Sequence, residues 1–370
     1  MAESPTAAVA DPRQLEAAQA GDEGAFSRLI APHRGELHAH CYRMLGSVQD
    51  AEDALQEAML RAWRALDRFE GRSSLRSWLY RIATNTCLDA IAKRPKRVLP
   101  IDYAPASDPH GGPGEPVIES VWVEPYPDET LAVKDGLAGP EARYEQREAI
   151  ELAFIAALQH LPPNQRAVLI LREVLGFSAK EVADALDTTV ASVNSALQRA
   201  RKAVEERTPE QSQQETLRAI GDERLRELVE EYVAAWERND VETVVGMLAT
   251  DAAFTMPPLA SWFKGAEEIG VFLAGSPLSG TWRWRAVPTR ANGQPALGFY
   301  TWDEDKGAYT RFALNVLRFD GEKIGEVDAF IARAGADIPE DDVLNTPKYE
   351  ADARLLEIYF ERFGLPERLA

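Results

Sequence analysis

Two stretches of the chain combine arginine side chains with hydroxyl, amide or aromatic groups, the set that contacts phosphates and bases. The first ends a helical pattern over residues 46–97, and between residues 61 and 97 it carries ten basic and three acidic side chains. Cations neutralise phosphates, rings stack on unpaired bases, and amides read base edges. The pattern suits strand-separated DNA, although a solvated helix face explains the composition equally well.

The second stretch, "FSAKEVADALDTTVASVNSALQRARKAV", is typical of a helix-turn-helix. Ser178 and Glu181 form a capping box, Asp187 and Thr188 make the turn, and Thr189 caps the second helix. That helix offers side chains for base edges and phosphates, namely Thr189, Val190, Ala191, Asn194, Ser195, Gln198, Arg199, Arg201 and Lys202. A generic helical hairpin fits the apolar spacing equally well.

The elements that position the first stretch are two amphipathic helices. Ser47 caps a helix that is acidic in its first turns and basic later, which suits the helix dipole and allows a Glu57–Arg61 pair. After "FEGRSS", Ser73 or Ser74 caps a second helix. The spacing leaves one side of it exposed, with Arg72, Arg76, Tyr80, Arg81, Thr84 and Asn85.

The quoted segments "DAEDALQEAMLRAW" and "FEGRSSLRSWLYRIATNTCLDAI" closely resemble region 2 of extracytoplasmic-function sigma factors. The resemblance implies that the first motif docks on core RNA polymerase through Asp50, Glu52, Asp53, Gln56, Glu57 and Arg61. It implies that the second reads and melts the minus-ten promoter element through Arg72, Ser73, Arg76, Trp78, Tyr80, Arg81, Asn85, Arg94 and Arg97.

The helix-turn-helix and the preceding "LPPNQRAVLILREVLGFSAKEVADAL" resemble sigma region 4. That region reads the minus-thirty-five element and touches the polymerase flap, so the resemblance implies promoter DNA as a partner. The family often has basic residues where this chain has Asn194 and Ala196. We expect weaker phosphate contacts there, and the promoter sequence stays open.

Composition sets limits on the function. The 370 residues are 45% hydrophobic and carry a net charge of −19, which fits about three modules and argues against a free, nonspecific nucleic-acid binder. Cys41 and Cys87 are too far apart for a CxxC motif, and we expect no metal and no cofactor. The sequence has no leader or long apolar span, so we expect a cytoplasmic protein without membrane contact.

Residues 99–140 hold eight acidic side chains and one lysine among many prolines and glycines. This composition predicts a linker, with a disordered tether over residues 99–118. "VWVEPYPDE" resembles a linker motif of sigma factors with a fused C-terminal domain, which implies contact with that domain or with polymerase.

Residues 217–333 begin with an amphipathic helix and continue as alternating strands, including a hairpin at Asp320-Gly321. This order predicts an α+β cone with an antiparallel sheet, and it resembles the SnoaL-like branch of the NTF2-like fold. Aromatic and apolar side chains are expected to line a pocket: Phe254, Met256, Trp262, Phe272, Trp284, Phe299, Trp302 and Phe312. All five histidines lie upstream, which leaves Asp251, Asp303 and Asp328 as candidate acids, and we expect no enzyme.

The predicted fold class is multidomain, with two all-α sigma modules followed by an α+β cone. The predicted boundaries are residues 11–98 for region 2, 99–140 for the linker, 141–207 for region 4, 217–335 for the cone and 336–370 for a tail. We expect a sigma factor that binds core RNA polymerase and is regulated by its own C-terminal domain through contact with the sigma modules or the linker. The alternatives are a helix-turn-helix regulator that senses a ligand without polymerase, and an enzyme tethered to transcription.

Overall fold

The computed structural model of the chain describes residues 12–112, 114, 116–117, 121–130, 147–332 and 352–370. Predictions that fall on residues 1–11, 131–146 and 333–351 lie outside these ranges. The described chain forms two compact units. The first contains residues 12–96, 130 and 153–208, and the second contains residues 97–129, 147–152 and the described residues from 209 onward.

The described part of the first unit is helical. Its helices are α1 (Pro12–Gln19), α2 (Glu23–Ile30), α3 (Arg34–Leu45), α4 (Val48–Ala65), α5 (Leu75–Ile91), α7 (Leu152–Gln159), α8 (Pro163–Leu169), α9 (Ala179–Ala185) and α10 (Val190–Glu205), while α6 (Pro100–Tyr103) belongs to the second unit. Helix α8 continues into a π-helical turn, Ile170–Val174. Both cysteines are free and buried, Cys41 on α3 and Cys87 on α5.

The predicted helix caps are confirmed. The hydroxyl of Ser47 accepts from the N–H of Asp50, and that of Ser74 accepts from the N–H of Ser77. Ser178 and Glu181 form both halves of the capping box. Each cap satisfies a backbone donor that has no partner within its helix, which is why these sequence positions begin helices.

The second unit is built on a seven-stranded sheet in the order β2-β1-β6-β5-β4-β3, with β7 on β5. The strands are β1 (Leu248–Thr255), β2 (Trp262–Lys264), β3 (Trp284–Ala291), β4 (Gln294–Asp303), β5 (Ala308–Asp320), β6 (Lys323–Ile331) and β7 (Arg368–Leu369). Its further helices are α11 (Gln213–Ile220), α12 (Asp222–Glu237), α13 (Val241–Met247), α14 (Ala266–Gly275) and α15 (Ala353–Tyr359).

The α+β cone is confirmed, with one correction to its sheet. Strands β3 to β6 form antiparallel hairpins, and the last turns at Asp320 and Gly321 as predicted. Strand β1 pairs with β6 in parallel, so the sheet is mixed rather than antiparallel. Alternation within a strand indicates which face is buried but carries no information on the direction of its neighbour.

The described residues of the linker pack against the sheet. The N–H of Ser107 donates to the carbonyl of Trp262 at 2.8 Å, and the N–H of Val117 donates to Pro258 at 2.9 Å. The prediction of a disordered tether over residues 99–118 is therefore wrong for these residues. The compositional signal was misleading because the partners of these backbone groups lie more than 140 residues away in sequence.

Glu151 joins the segment before α7 to the start of α11. Its two carboxylate oxygens accept the N–H groups of Gln213 at 3.1 Å and Gln214 at 2.9 Å. The site is buried, and burial raises the pKa of Glu151 to about 7 despite these hydrogen bonds. A carboxylate thus caps α11 from inside the protein, where its charge is costly.

Candidate polymerase and nucleic-acid interfaces

The predicted polymerase-docking residues follow one side of α4. Asp53 and Gln56 are exposed, whereas Glu52 and Glu57 are partly buried. The Arg61 guanidinium pairs with Glu57 at 2.8 Å, as predicted, and also with Asp89 of α5 at 2.7 Å. Leu60 is 50% exposed, which the sequence pattern did not predict. With Asp53 and Gln56 it forms an exposed row on α4, here called the α4 stripe.

Asp50 and Arg94 were assigned to different surfaces but form an ion pair with each other. Asp50 is buried, and Arg94 also approaches Asp53 at 4.0 Å. The acidic start of α4 therefore neutralises part of the basic segment that follows α5. The pairing reduces the charge that Arg94 presents to solvent.

The predicted minus-ten surface is only partly exposed. Arg72, Ser73 and Arg81 are exposed, and Arg76, Trp78 and Asn85 are partly buried. The ring of Trp78 packs on Phe69 with centroids 5.0 Å apart. Of the exposed members, Arg72 and Ser73 lie in the loop before α5, where Arg72 pairs with Glu70 at 2.5 Å, and Arg81 lies within the helix.

Tyr80 corrects one prediction, because it is 1% exposed rather than solvent-facing. Its hydroxyl donates to Glu36 at 3.3 Å, and its ring contacts His40 and Phe177. Burial raises the pKa of Tyr80 and lowers that of His40 to about 3, so both side chains are neutral. Thr84 is also buried and hydrogen-bonds His40.

Arg97 corrects a second prediction. It is 5% exposed and belongs to the second unit, where it donates to the carbonyl of Trp122 at 2.6 Å and pairs with Glu124 at 3.5 Å. Arg354 approaches the same Glu124 at 3.8 Å. A buried arginine paired with a buried carboxylate is not available to phosphates.

The helix-turn-helix forms as predicted, from α9 and α10. Asp187 adopts a left-handed φ of 52° in the turn, and Thr189 caps α10 by accepting from the N–H of Ser192. The candidate side chains are exposed on α10: Val190, Ala191, Asn194, Ser195, Gln198, Arg199, Arg201 and Lys202. Arg201 pairs with Glu173 at 2.8 Å and Lys202 with Glu206 at 3.9 Å.

The cone encloses a small apolar cavity of about 40 Å³, lined by Trp236, Phe254, Met256, Phe272, Pro277, Trp284, Phe299, Phe312, Ala313, Asn315, Ala329 and Ile331. Trp262 and Trp302 were predicted to line it and do not. The indole of Trp262 donates to the carbonyl of Ala104 in the linker, and Trp302 packs on Tyr309. Trp236 and Asn315 line the cavity although the sequence analysis did not place them there.

None of the three candidate acids lines this cavity. Asp251 is exposed, and Asp303 pairs with Lys306 at 3.0 Å. Asp328 is buried and accepts the hydroxyl of Thr255 at 2.7 Å, and burial together with Glu326 raises its pKa. Among the described residues, no cluster of three or more His, Cys, Asp or Glu side chains is arranged to hold a metal.

The "VWVEPYPDE" motif docks on the cone at Asn292, a buried residue with a left-handed φ of 54°. The N–H of Tyr126 donates to the Asn292 side chain, and the N–H of Asn292 donates to the Tyr126 carbonyl, both at 2.8 Å. Asp128 adds an ion pair with Arg290 at 3.2 Å and accepts the N–H of Gly293 at 2.7 Å. The predicted contact between this motif and the C-terminal domain is present.

Comparison with known proteins gives three family matches along the chain. Sigma-70 region 2 matches residues 29–97, Sigma-70 region 4 matches residues 145–204, and the SnoaL-like domain matches residues 229–327. Two helical sigma modules followed by one α+β cone are the fold class predicted from the sequence.

The chain is 43% identical over 310 residues to the ECF RNA polymerase sigma factor SigG of Mycobacterium tuberculosis, covering 83% of this chain and 81% of that protein. It is 30% identical over 191 residues to the ECF RNA polymerase sigma-E factor of Escherichia coli, covering 52% and 90%. The crystal structure of the M. tuberculosis extracytoplasmic function sigma factor SigJ is similar in fold, with a TM-score of 0.50, 22% identity and coverage of 80% and 93%. The chain belongs to the extracytoplasmic-function RNA polymerase sigma factors and carries a C-terminal SnoaL-like domain.

Proposed function

We propose that this sigma factor engages core polymerase through α4, reads the minus-ten element with α5 and its preceding loop, and reads the minus-thirty-five element with α10. One observation carries the proposal: both sigma regions are present in this chain, and its similarity to a sigma factor extends over 83% of its length. The exposed face of α10, exposed Arg72 before α5 and exposed Arg81 of α5 support the assignment of residues. In this role it acts in the cytoplasm, where the polymerase transcribes.

The SnoaL-like domain is proposed to regulate initiation rather than to catalyse a reaction. A cavity of about 40 Å³ holds little more than one or two waters, whereas sites for small-molecule ligands begin near 300 Å³. The side chains that line it include no acid or histidine. The linker that follows region 2 is docked on this domain, which supports control through the linker.

Multi-round transcription with core RNA polymerase on a genomic promoter library tests the function. The full chain is compared with a chain that ends at Arg207. Core-dependent transcripts from either form are expected, and a difference between the two gives the sign of the control by the C-terminal domain. Transcripts from neither form would favour the helix-turn-helix regulator that works without polymerase.

A charge reversal tests the docking surface separately. Asp53→Arg should lower capture of the chain by immobilised core polymerase, because Asp53 is an exposed acid of the α4 stripe. Asp67→Arg makes the same charge change at an exposed position beyond the end of α4 and serves as the control. If both variants lose the same amount of capture by core polymerase, the proposal that α4 is the docking surface is wrong.

Described residues include no helix with both the length and the apolar character to cross a bilayer.

A further inference from the structure

The sheet of the second unit has a second face, on which the C-terminal segment (residues 352–370) packs. Side chains alternate along β4, so Phe299 joins the apolar core of the cone while Gly298 and Tyr300 lie on the opposite face, here called the outer face. Tyr300 is fully buried, and its ring centroid lies 5.5 Å from that of Phe360 in the C-terminal segment. The segment therefore covers the outer face within this unit.

Gly298 makes room for one side chain of the C-terminal segment. A Cβ atom at position 298 would lie 2.7 Å from Cδ1 of Leu365, well inside the distance of about 3.5 Å at which carbon atoms pack. The φ of Gly298 is not left-handed, so the backbone conformation does not require glycine there. Glycine within a strand often marks a close approach, and here it leaves a seat for Leu365, which is 5% exposed.

Two buried polar side chains hold the backbone at this seat. The guanidinium of Arg311 on β5 donates to the carbonyls of Leu365 and Pro366, both at 2.9 Å. The Tyr300 hydroxyl donates to the Pro366 carbonyl at 2.8 Å. Arg311 is 8% exposed and also pairs with Glu361 at 3.3 Å. Because a buried cation is costly unless its donors are paired, these side chains favour a peptide that presents carbonyls at the two positions.

The C-terminal segment ends by adding a short strand to the sheet. Strand β7 pairs antiparallel with Tyr309 and Thr310 of β5. These two residues lie outside residues 313–320, the part of β5 that pairs with β6. Addition of an extended peptide to a strand edge is a common mode of peptide recognition, in which side-chain pockets provide the specificity.

The same segment contacts the linker at buried Glu124. Arg354 of α15 lies 3.8 Å from the Glu124 carboxylate, which also pairs with Arg97 at 3.5 Å. At the other end of α15, burial and the nearby Glu124 raise the pKa of Tyr359. Glu124 therefore has a cation of the linker on one side and the C-terminal segment on the other.

We propose that the outer face of the cone is a peptide-binding site whose ligand is the C-terminal segment, and that its occupancy determines whether the linker is held at Glu124. The ligand class is a peptide with an aromatic residue followed by Gly-Leu-Pro, here residues 363–366. Gly364 has a left-handed φ of 62° and turns the chain so that Leu365 enters its seat. The inference concerns binding and does not depend on the proposed promoter functions of the helical modules.

Three full-length chains and one fluorescent peptide with the sequence of residues 352–370 test the site. Leu365→Asp releases the chain's own segment and leaves the site unchanged, and Gly298→Val added to it fills the seat. By fluorescence anisotropy, the Leu365→Asp chain should bind the peptide and the double variant should not. The wild type should bind it on the order of a hundredfold more weakly, because its tethered segment competes at a high effective concentration.

Controls address the seat without a change in the cone. Ala370→Asp makes the same charge change at an exposed position of the segment and should behave like the wild type. A peptide that itself carries Leu365→Asp should not bind to the Leu365→Asp chain. Binding of this peptide as tightly as the unchanged one, or protection of residues 352–370 from hydrogen exchange that persists in the Leu365→Asp chain, would overturn the proposal.

Hydrogen exchange of linker residues 97–129 tests the coupling to Glu124. Exchange should be faster in the Leu365→Asp chain than in the wild type, and the free peptide should restore protection. A peptide with Arg354→Gln should still bind but restore less protection, since it lacks the cation beside Glu124. Full restoration by that peptide, or linker exchange that does not respond to release of the segment, would disprove the coupling. Wild-type dimers that the free peptide dissociates would show the same site filled by the segment of a second copy.

Discussion

Arg199 differs from the neighbouring cations of α10 because it has no ion-pair partner among the described residues, whereas Arg201 and Lys202 are paired. We expect Arg199→Ala to weaken promoter binding by the holoenzyme on every sequence and to lower the salt slope by about 1, since one phosphate contact is lost. Binding isotherms over a range of salt concentrations measure this. A slope that does not change would remove Arg199 from the phosphate contacts.

Asn194 is expected to behave differently. An exposed amide early in α10 can bond two positions of one base, and its loss should change discrimination at that base by about 1–3 kcal/mol. Selection of binding sites from a promoter library with Asn194→Ala holoenzyme measures the change. Ser192→Ala, in the same turn, is the control for local helix changes, and equal loss on all promoters would contradict base reading.

Glu151 should make the second unit less stable as pH rises. Its folded pKa of about 7 lies above the unfolded value near 4.5, so the folded state binds the proton more tightly. The stabilisation is complete below about pH 4.5 and is lost as pH rises from there through about 7, on the order of 3 kcal/mol for a shift of this size. Chemical unfolding from pH 5 to 8 should show this loss in the wild type and a smaller one in Glu151→Gln.

The difference in pH dependence between the wild type and Glu151→Gln measures the contribution of Glu151 alone. Asp328 is a second buried carboxyl of this unit with a raised pKa, but it is present in both chains and cancels in the difference. Glu148 and Arg218 face the same helix start and are also common to both. Equal pH dependence in the two chains would show that Glu151 keeps an ordinary pKa.

At the scale of elements, we expect the docking of the linker on the cone to depend on Asn292. Asn292→Ala removes the hydrogen bonds to Tyr126 and to the carbonyl of Ile150, and it places alanine at a left-handed φ. We expect faster proteolysis within residues 97–129, because the docked segment loses its partner. Asn239→Ala is the matched control, since Asn239 has a φ of 56° in the same unit and donates instead to Trp282. Similar cleavage in both variants would attribute the effect to backbone strain alone.

Some features of the fold could be predicted from the local sequence, and others depend on residues that are distant in sequence. Helix starts at Ser47, Ser178 and Thr189 were predictable because a cap and its donor lie within three residues. Arg97 and Tyr80 were assigned to the wrong environment because their partners, Glu124 and Phe177, come from distant segments. The exposure of the candidate DNA-contacting residues of α10 follows from the helical period, whereas the burial of Tyr80 on α5 depends on tertiary contacts that no local pattern contains.

For the whole molecule, the boundary between the units does not coincide with the boundary between the family modules. Residues 97–129 follow region 2 directly, yet they belong to the unit that contains the cone. The chain therefore crosses between the units several times rather than once. Removal of the C-terminal domain also removes the surface on which the linker packs.

A chain ending at Arg207 should consequently differ from the full chain in its linker as well as in its length. Val98, Trp122 and Tyr126 are at most 9% exposed in the full chain, and Tyr126 loses its Asn292 partner on truncation. We expect amide hydrogens over residues 97–129 to exchange much faster in the shorter chain, while those of α3 and α4 keep their protection. Unchanged exchange in the linker would show that it folds without the cone, and a transcriptional difference between the two chains could then be assigned to the cone itself.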